Sequence, residues 1–382
     1  MKTKIRKLKG GSLLKGELPK GCKFCRRGAK LFFFLTGKCC ESCFYCSLAR
    51  IKRGKDLILA NERPVSGFAG VMIEISNMDA QGAAITGGDP LVALDLTLKY
   101  INKMKKQYGK NFHIHLYTSG RFATEANLEQ LAQVGLDEIR FHPQNQEHEK
   151  AIERALNYEW TVGAEVPVLP DEKGELLRFL DYLDSLEEVA FCNLNELEAT
   201  EANIENLKKR GYKIKNEISS AVVGSKELAL EVLKTTELSL DLHFCSARSK
   251  DTVQFRNRLI RTAEIVRKPF EEIRDGMLVK ATINLPPYLI SEELVDILID
   301  EYEVEPEMLD LSDEQTIETS WYIADVLKDV LFNRFEIEDI NITVEYPTYG
   351  RIKIAQTSLK KLAEEQEDDE TGNPFIFYFD EE

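Results

Sequence analysis

Short apolar runs and longer amphipathic segments alternate along the chain from about residue 31 to residue 210. The runs are rich in β-branched and aromatic residues, and each is too short to be a buried helix. They lie at 31–35, 83–86, 112–118, 138–142, 162–169 and 189–194. The segments between them have helical spacing and lie at about 67–80, 91–108, 123–134, 146–158, 173–185 and 200–210. This alternation predicts an α/β fold in which helices cover a parallel sheet.

Six such strand–helix units predict an open, partial (β/α)6 barrel. In barrels of this kind the chemistry collects at the C-terminal ends of the strands. The unusual residues of this chain follow the predicted strands, as that rule requires. They are Gly37 with the cysteines after the first strand, Gly87-Gly88-Asp89-Pro90 after the second, Ser119-Gly120 after the third and His142-Pro143 after the fourth.

The chain beyond the predicted barrel has a different organisation. A helix and a strand at about 223–244 lead to a basic helix at 252–273, and mixed strands and helices follow. We therefore predict four parts: a basic segment with a CxxC pair, the barrel, a basic helix, and a smaller α+β region with an acidic tail. Their bounds are 1–30, 31–245, 246–274 and 275–382. The last 21 residues hold nine acidic and no basic residues, a composition typical of a solvated segment.

The net charge of −15 conceals a strong asymmetry. Residues 1–60 carry 16 Lys or Arg and only 3 Asp or Glu, which predicts different partners for the two ends of the chain. No apolar run approaches the ~20 residues that a membrane span needs. The basic N-terminus also lacks the apolar core of a secretory signal. We therefore expect a cytoplasmic protein with no membrane partner.

Six of the eight cysteines lie between Cys22 and Cys46. Such clustering in a long chain without a secretory signal favours metal binding over a disulfide framework. The spacing Cys39-x3-Cys43-x2-Cys46 places three thiols within eight residues, which can wrap one face of an iron–sulfur cubane and leave one iron open. Zinc at this triad is disfavoured because zinc prefers four ligands in paired short spacings. Cys40 is interpreted as a packing residue, since adjacent thiolates seldom both reach one cluster.

This spacing, with the aromatic Tyr45 before the third cysteine, resembles the signature of the radical S-adenosylmethionine superfamily. The resemblance covers roughly residues 30–245, and Gly87-Gly88-Asp89-Pro90 looks like the Gly-Gly-Glu-Pro motif of that family. It implies that the motif holds the amino group of the cofactor, although Asp89 is one methylene shorter than the family's Glu. The surroundings, from the CxxC pair through the triad, most resemble a branch related to pyruvate formate-lyase activating enzymes.

The resemblance implies an enzyme with a 4Fe-4S cluster that reductively cleaves S-adenosylmethionine. The resulting 5′-deoxyadenosyl radical would abstract hydrogen from a substrate, and ferredoxin or flavodoxin would donate the electron. It also implies polar contacts to the ribose and adenine of the cofactor at the ends of strands three to six. The residues on offer there are Ser119, Gly120, Arg140, His142, Glu165 and Asn193.

Cys22 and Cys25 form a separate CxxC pair that needs a distant partner to bind metal. Cys245, at the end of an apolar strand, is the best candidate, with Cys192 or His243 as a fourth ligand. An auxiliary iron–sulfur cluster and a structural zinc both suit such a set, and plain thiols are the alternative. The sequence predicts that Cys22, Cys25 and Cys245 lie close together in space.

Three functions remain open at this point. A peptide or protein substrate follows from the analogy with activating enzymes, with the acidic C-terminal region as a docking module. An RNA substrate would use the basic first sixty residues and the basic helix at 252–273. A non-catalytic protein stabilised by metal is the third alternative. The analogy of fold does not by itself fix the substrate.

Overall fold

The computed structural model describes residues 4–216 and 219–362. The chain divides into two compact units, Met1–Arg258 and Leu259–Glu382, called here the barrel unit and the C-terminal unit. The acidic tail expected from the sequence lies, from residue 363 onward, outside the described residues. Within the described ranges, no helix combines the length and apolar character that crossing a membrane requires.

The barrel unit alternates strands and helices along most of its length. Its strands are β1 (Arg6–Lys7), β2 (Leu13–Lys15), β3 (Lys30–Thr36), β4 (Leu59–Ala60), β5 (Arg63–Pro64), β6 (Gly82–Gly87), β7 (His113–Thr118), β8 (Glu138–Phe141), β9 (Thr161–Val168), β10 (Phe191–Glu196) and β11 (Asp241–Cys245). Its helices are α1 (Lys20–Arg26), α2 (Phe68–Asn77), α3 (Leu94–Tyr108), α4 (Glu125–Gln133), α5 (Gln146–Ala155), α6 (Lys173–Ser185), α7 (Ile204–Lys209), α8 (Ser225–Thr235) and α9 (Ala247–Ser249). A π-helix, Lys250–Phe255, follows α9 and leads into α10 (Arg256–Val266).

Seven parallel strands form the centre of an open sheet, in the order β11-β10-β9-β8-β7-β6-β3. Antiparallel strands extend it at both edges, with β2 and β1 beside β11 and with β4 and β5 beside β3. The predicted α/β fold with an open, partial barrel is confirmed. The six predicted strands correspond to β3 and β6 through β10, and the six predicted helices to α2 through α7.

The two faces of this sheet differ in chemistry because side chains alternate along each strand. On β7, Ile114 and Leu116 belong to the apolar core that packs against the helices. His113 and His115, also buried, occupy the alternate positions and point to the opposite, inner face. The same alternation on the neighbouring strands places polar and charged residues on the inner face, where a site can form.

The N-terminal segment contributes directly to the barrel. Helix α1 lies on the inner face of the sheet, where the ring of Phe24 packs edge-on against His113 and the amide of Gly21 donates to Glu138. A Cβ atom at Gly21 would lie 2.6 Å from atoms of both Arg140 and His115, so only glycine allows this approach. The helix thereby brings its CxxC pair into the barrel interior, a placement that the sequence did not predict.

The C-terminal unit is built on an antiparallel sheet with the order β14-β15-β13-β16-β17, and β12 also pairs with β13. Its strands are β12 (Glu272–Arg274), β13 (Met277–Asn284), β14 (Leu309–Asp313), β15 (Thr316–Thr319), β16 (Ile340–Glu345) and β17 (Lys353–Ser358). Its helices are α11 (Ser291–Asp300), α12 (Trp321–Val326) and α13 (Lys328–Asn333). A separate apolar core, including Val279, Ile317 and Ile342, holds this α+β unit together.

The region predicted as one basic helix at 252–273 has a more varied structure. It starts within the π-helix, continues as α10 and ends in strand β12. The predicted domain break at Arg274-Asp275-Gly276 is the turn between β12 and β13, with positive φ angles at Asp275 and Gly276. Asp-Gly is a strong hairpin signal, and here it connects two paired strands.

Candidate functional site

The cysteine triad lies on the loop between β3 and β4, at the C-terminal ends of the parallel strands. Cys39 is exposed, and Cys43 and Cys46 are partly exposed. All three line one cavity of about 930 Å³, called here the cysteine-loop cavity. Cys40 is also exposed and lines the same cavity, so its interpretation as a packing residue was wrong. Adjacent positions in an extended loop face different directions, and here both reach solvent.

The glycine motif after β6 packs tightly against the start of the cysteine loop. The amide of Gly88 donates to the Thr36 carbonyl at 2.7 Å, and the amide of Asp89 donates to the Lys38 carbonyl at 2.9 Å. A Cβ atom at Gly88 would lie 2.1 Å from the Lys38 carbonyl oxygen and 2.9 Å from Cβ of Cys39. Glycine at this position therefore allows the two loops to pack together, and this contact positions Cys39.

The Asp89 carboxylate is buried and fully engaged by protein donors. One oxygen accepts from the Leu91 amide at 3.0 Å and both accept from the Thr118 hydroxyl. The second oxygen also accepts from the amide and the hydroxyl of Ser119, at 2.9 and 2.7 Å. Asp89 thus ties the loop after β6 to the end of β7, where Ser119 faces the cavity.

Tyr45 and Cys43 belong to a small polar network on the far side of the cavity. The Tyr45 hydroxyl lies 2.9 Å from Nε2 of His142 and donates to Oε1 of Gln144 at 3.2 Å. The Cys43 thiol donates to the same Gln144 oxygen at 2.9 Å. Burial raises the pKa of Cys43 to about 11 and lowers that of His142. Both shifts favour a neutral imidazole and a protonated thiol, and a cluster held by Cys43 would require that thiol to lose its proton.

Of the six residues expected to contact ribose and adenine, Ser119, His142 and Glu165 line the cysteine-loop cavity. Arg140 and Asn193 line a second, smaller cavity of about 230 Å³. Gly120 is in the lining of neither. The expected set is thus divided between two neighbouring cavities of the barrel interior.

The smaller cavity is lined by Cys22, Cys25 and Cys245 and is called here the thiol cavity. Gln254 bridges two of its thiols, because its Oε1 accepts from Cys25 at 2.7 Å and its Nε2 donates to the Cys245 sulfur at 3.2 Å. Nδ2 of Asn193 lies 3.3 Å from the Cys22 sulfur. Burial raises the pKa of Cys22, and raises that of Cys245 to about 12.

Arg140 is the centre of a buried charge network beside the thiol cavity. Its guanidinium donates to Glu138 at 2.6 Å, to Glu165 at 2.7 Å and to the Tyr117 hydroxyl at 3.2 Å. Burial opposes ionisation of the two carboxyls, but the adjacent Arg140 charge lowers the pKa of each to about 2. Both carboxylates are therefore charged at neutral pH and neutralise the arginine.

The two cavities share Phe32, Tyr117, Glu165, Asn195 and Lys250 in their linings. Sequence reasoning missed Asn195 and Lys250 as site residues. Asn195 could have been found, because it is two positions after Asn193 and so faces the same side of β10. Lys250 forms an ion pair with Glu198, and in the sequence it only precedes the predicted basic helix at 252–273.

No three His, Cys, Asp or Glu side chains among the described residues are arranged so that they could hold a single metal ion. This holds for the thiol cavity and equally for the Cys39–Cys46 triad. A single zinc ion requires thiolates at ~2.3 Å from one point, whereas a cubane places each thiolate on a different iron and so spaces them more widely. Neither group among the described residues thus forms a preformed site for a single zinc ion.

Comparisons with known proteins identify the family. Residues 33–228 match the model of the radical SAM superfamily. The chain is 35% identical over 361 residues to "Putative glycyl-radical enzyme activating enzyme" of Methanocaldococcus jannaschii, covering 91% of this chain and 94% of that protein.

Two solved structures are more distant. SuiB of Streptococcus suis bound to S-adenosylmethionine is 10% identical over 57% of this chain and 50% of its own, with a TM-score of 0.40. The methyltransferase TsrM of Kitasatospora setae is 13% identical over 64% of this chain and 54% of its own, with a TM-score of 0.33. Both scores are too low to support an inference. The family match and the nearly full-length relative agree with the motif, the sheet and the cavity: this chain belongs to the radical SAM superfamily, as an enzyme that uses a 4Fe-4S cluster and S-adenosylmethionine.

Proposed function

We propose that this enzyme activates a glycyl-radical protein by abstracting a hydrogen atom from a glycine of that protein. The observation that carries the proposal is the 35% identity, over 91% of this chain, to a protein named as a glycyl-radical enzyme activating enzyme. The substrate class is thus a folded protein or a segment of one. A product with a radical on a glycine Cα follows directly from removal of one hydrogen atom.

Cys39, Cys43 and Cys46 would hold the cluster. They fit this role because they come from one loop, line one cavity and retain access to solvent. A reduced cluster held by these thiols would supply the electron that cleaves S-adenosylmethionine into methionine and a 5′-deoxyadenosyl radical. Reduced ferredoxin or flavodoxin would provide that electron, and the exposure of Cys39 leaves the loop open to such a donor.

The remaining residues of the cavity orient the cofactor. The backbone at Gly87 and Gly88 lies beside the cysteine loop, where it can meet the amino acid end of S-adenosylmethionine. Ser119, Tyr45 and His142 line the cavity and offer polar atoms for the rest of the cofactor. Asp89 acts in this scheme by holding Ser119 and the glycine turn in place, since its oxygens already accept from four protein groups.

A second metal, as an iron–sulfur cluster in the thiol cavity, is a separate proposal that this reaction does not require. The described residues show no preformed site for a single metal ion there.

An RNA substrate and a non-catalytic role are not favoured. The relative is named as an activating enzyme, and several basic side chains of the expected RNA face have partners within the barrel unit. Arg258 forms an ion pair with Glu62, and Lys250, just before the expected basic helix, forms one with Glu198. Cations neutralised in this way contribute little to a phosphate-binding surface.

The test is to incubate the anaerobically reconstituted enzyme with dithionite, S-adenosylmethionine and a candidate glycyl-radical protein from the same organism. We expect 5′-deoxyadenosine and, in parallel, the electron paramagnetic resonance signal of a glycyl radical on the partner protein. A partner with its radical glycine replaced by alanine is the matched control and should show no such signal. The proposal would be contradicted if each candidate glycyl-radical protein of the organism were tested and 5′-deoxyadenosine formed without a radical on any of them.

A further inference from the structure

The thiol cavity combines three buried cysteines from distant parts of the chain. Cys22 and Cys25 are one turn apart on α1, and Cys245 is the last residue of β11. All three are buried and line the same space of about 230 Å³. Free cysteines are usually packed as small apolar groups, but these three border a cavity that is also lined by charged and amide side chains.

His243 provides a second, independent observation. It is two residues before Cys245 on β11, so both side chains point to the inner face of the sheet, and both line the thiol cavity. Only 2% of His243 is exposed. Its Nδ1 lies 3.2 Å from the Asn193 side-chain oxygen, while its Nε2 is buried without a hydrogen-bond partner in the described structure. A buried polar atom without a partner costs free energy, and a ligand in the cavity would satisfy it.

The charge around the cavity suits an anionic occupant. Five basic side chains and the Glu165 carboxylate are in its lining. Arg140, Lys250 and Arg258 already pair with carboxylates, whereas Arg26 donates to the neutral Ser249 hydroxyl and Lys9 carbonyl. Arg26, together with the buried Lys30, therefore provides positive charge for an anionic occupant. An iron–sulfur cluster with its thiolate ligands carries net negative charge, and its surroundings must compensate that charge when it is buried.

The position of Gln254 favours a cluster over a single ion. Gln254 occupies the space between Cys25 and Cys245 and bonds to both sulfurs through its two amide atoms. The thiols therefore border a common space without converging on one point. We propose that Cys22, Cys25 and Cys245 bind a second iron–sulfur cluster in the thiol cavity, with Nε2 of His243 as its fourth ligand. Binding requires the three thiols to lose their protons to solvent, and Gln254 moves aside.

This centre lies beside the chamber in which the radical is formed, because the two cavities share five lining residues, Tyr117 and Asn195 among them. The proposal concerns the metal content of the chain and does not depend on the identity of its protein substrate. Its failure and the failure of the proposed function can therefore be told apart.

The test measures iron and acid-labile sulfide after anaerobic reconstitution with ferrous iron and sulfide. A variant with Cys39, Cys43 and Cys46 all replaced by alanine cannot bind the first cluster. It should still bind about four irons and about four sulfides per chain, as a cubane requires. Replacing Cys22, Cys25 and Cys245 as well should remove them. Equal iron in the two variants, or zinc without sulfide, would overturn the proposal.

Cys192→Ala, added to the variant without the triad, is the matched control. Cys192 is as deeply buried, but it belongs to the apolar core behind the sheet and does not line the thiol cavity. Iron content should be unchanged by it. Since Cys22→Ala could impair folding, the single variants Cys25→Ser and Cys245→Ser are compared with Cys192→Ala. Circular dichroism spectra must first show that the three variants are equally folded. Retention of all iron in both serine variants would overturn the assignment.

The fourth ligand is tested by pulsed electron paramagnetic resonance on the reduced variant without the triad. Coordination by His243 predicts hyperfine coupling to an imidazole nitrogen, which should vanish in His243→Gln while most of the iron remains. Absence of nitrogen coupling before the substitution would overturn the role of His243.

Discussion

The two groups of three cysteines in the barrel unit differ in how the chain brings them together. The Cys39–Cys46 group comes from eight consecutive residues on one loop, and its thiols are exposed or partly exposed. The group in the thiol cavity combines a helix near the N-terminus with the last parallel strand, and all of its thiols are buried. The first group depends on local spacing, whereas the second depends on the completed sheet.

This difference has a physical consequence for function. An exposed loop admits a cofactor and an electron donor, which suits a cluster that must react. A buried site beside charged residues excludes water and holds its ligands rigidly. Loss of the first site should therefore abolish chemistry with little effect on folding, while loss of the second should act on both.

The largest expected effect comes from removing one ligand of the loop group. Cys39→Ala, Cys43→Ala or Cys46→Ala should reduce formation of 5′-deoxyadenosine to background, because three thiolates are needed to hold a cubane with one open iron. The product is measured by liquid chromatography after anaerobic incubation with dithionite. Cys40→Ala is the matched control and should retain activity. Loss of the cluster in Cys40→Ala, with retention in Cys39→Ala, would show that the ligands are wrongly assigned.

A smaller but clear effect is expected where the glycine motif supports that loop. A Cβ at Gly88 would meet the Lys38 carbonyl at 2.1 Å, so Gly88→Ala should displace the start of the cysteine loop. We expect less iron per chain and a loss of about 1–3 kcal/mol in the free energy of unfolding. Chemical denaturation and iron analysis measure the two effects.

Gly174→Ala is the matched control for Gly88→Ala. Gly174 lies in helix α6, and nothing is within 4 Å of a Cβ built there. Alanine should be neutral or stabilising at this position, because it restricts the unfolded chain and favours helix. Equal iron content in the Gly88 and Gly174 variants would mean that the close approach does not position the cysteine loop.

The parts of the fold that sequence could predict are those with local patterns. Apolar runs such as 31–35 and 138–142 located their strands because each strand is marked by its own consecutive residues. The triad was predictable for the same reason. By contrast, the positions of α1 and β2 depend on strands far along the chain. Helix α1 lies on the inner face of the sheet, and β2 extends the sheet by pairing with β11.

The partners of Asp89 illustrate what local patterns leave out. The motif predicted a contact with the cofactor, but the carboxylate accepts from Thr118 and Ser119, which are 29 and 30 residues away. Nothing in the spacing of the glycine motif indicates which strand end will lie beside it. Likewise, Arg140 and Asn193 were predicted as polar residues at the ends of their strands, and the structure places both in the lining of the thiol cavity.

Asp89→Ala tests the loop site further, because iron content reports on the cysteine loop and cofactor affinity reports on the rest of the cavity. We expect weaker binding of S-adenosylmethionine with iron retained, since Ser119 and the glycine turn lose the carboxylate that holds them. The donors left unsatisfied should also lower the free energy of unfolding by about 1–3 kcal/mol. Equilibrium binding to the reconstituted protein measures the affinity for the cofactor. Ser119→Ala should weaken binding in the same direction, because Asp89 acts through Ser119. Unchanged affinity in both variants would show that Asp89 and Ser119 do not contribute to cofactor binding.

The smallest expected effect concerns stability in acid and involves the buried carboxylates beside the thiol cavity. Arg140 lowers the pKa of Glu138 and of Glu165 to about 2 in the folded protein. Because the folded values lie below the usual value of 4.5, the two carboxylates stabilise the fold above about pH 4.5, and this contribution is lost as the pH falls from there towards 2. The apoprotein should therefore show a falling urea midpoint over that range.

Glu165→Gln tests this, because glutamine keeps a similar shape and cannot ionise. The variant should be less stable at pH 7, where Arg140 loses a charged partner, and its urea midpoint should fall less steeply between pH 4.5 and pH 2. Glu147→Gln is the control, since Glu147 is exposed and pairs with Lys150 at the surface, where an ion pair contributes little. If both variants follow the wild-type profile, the buried network does not govern acid stability. The charge balance beside the thiol cavity must then be set by other groups, such as Lys30 or Lys250.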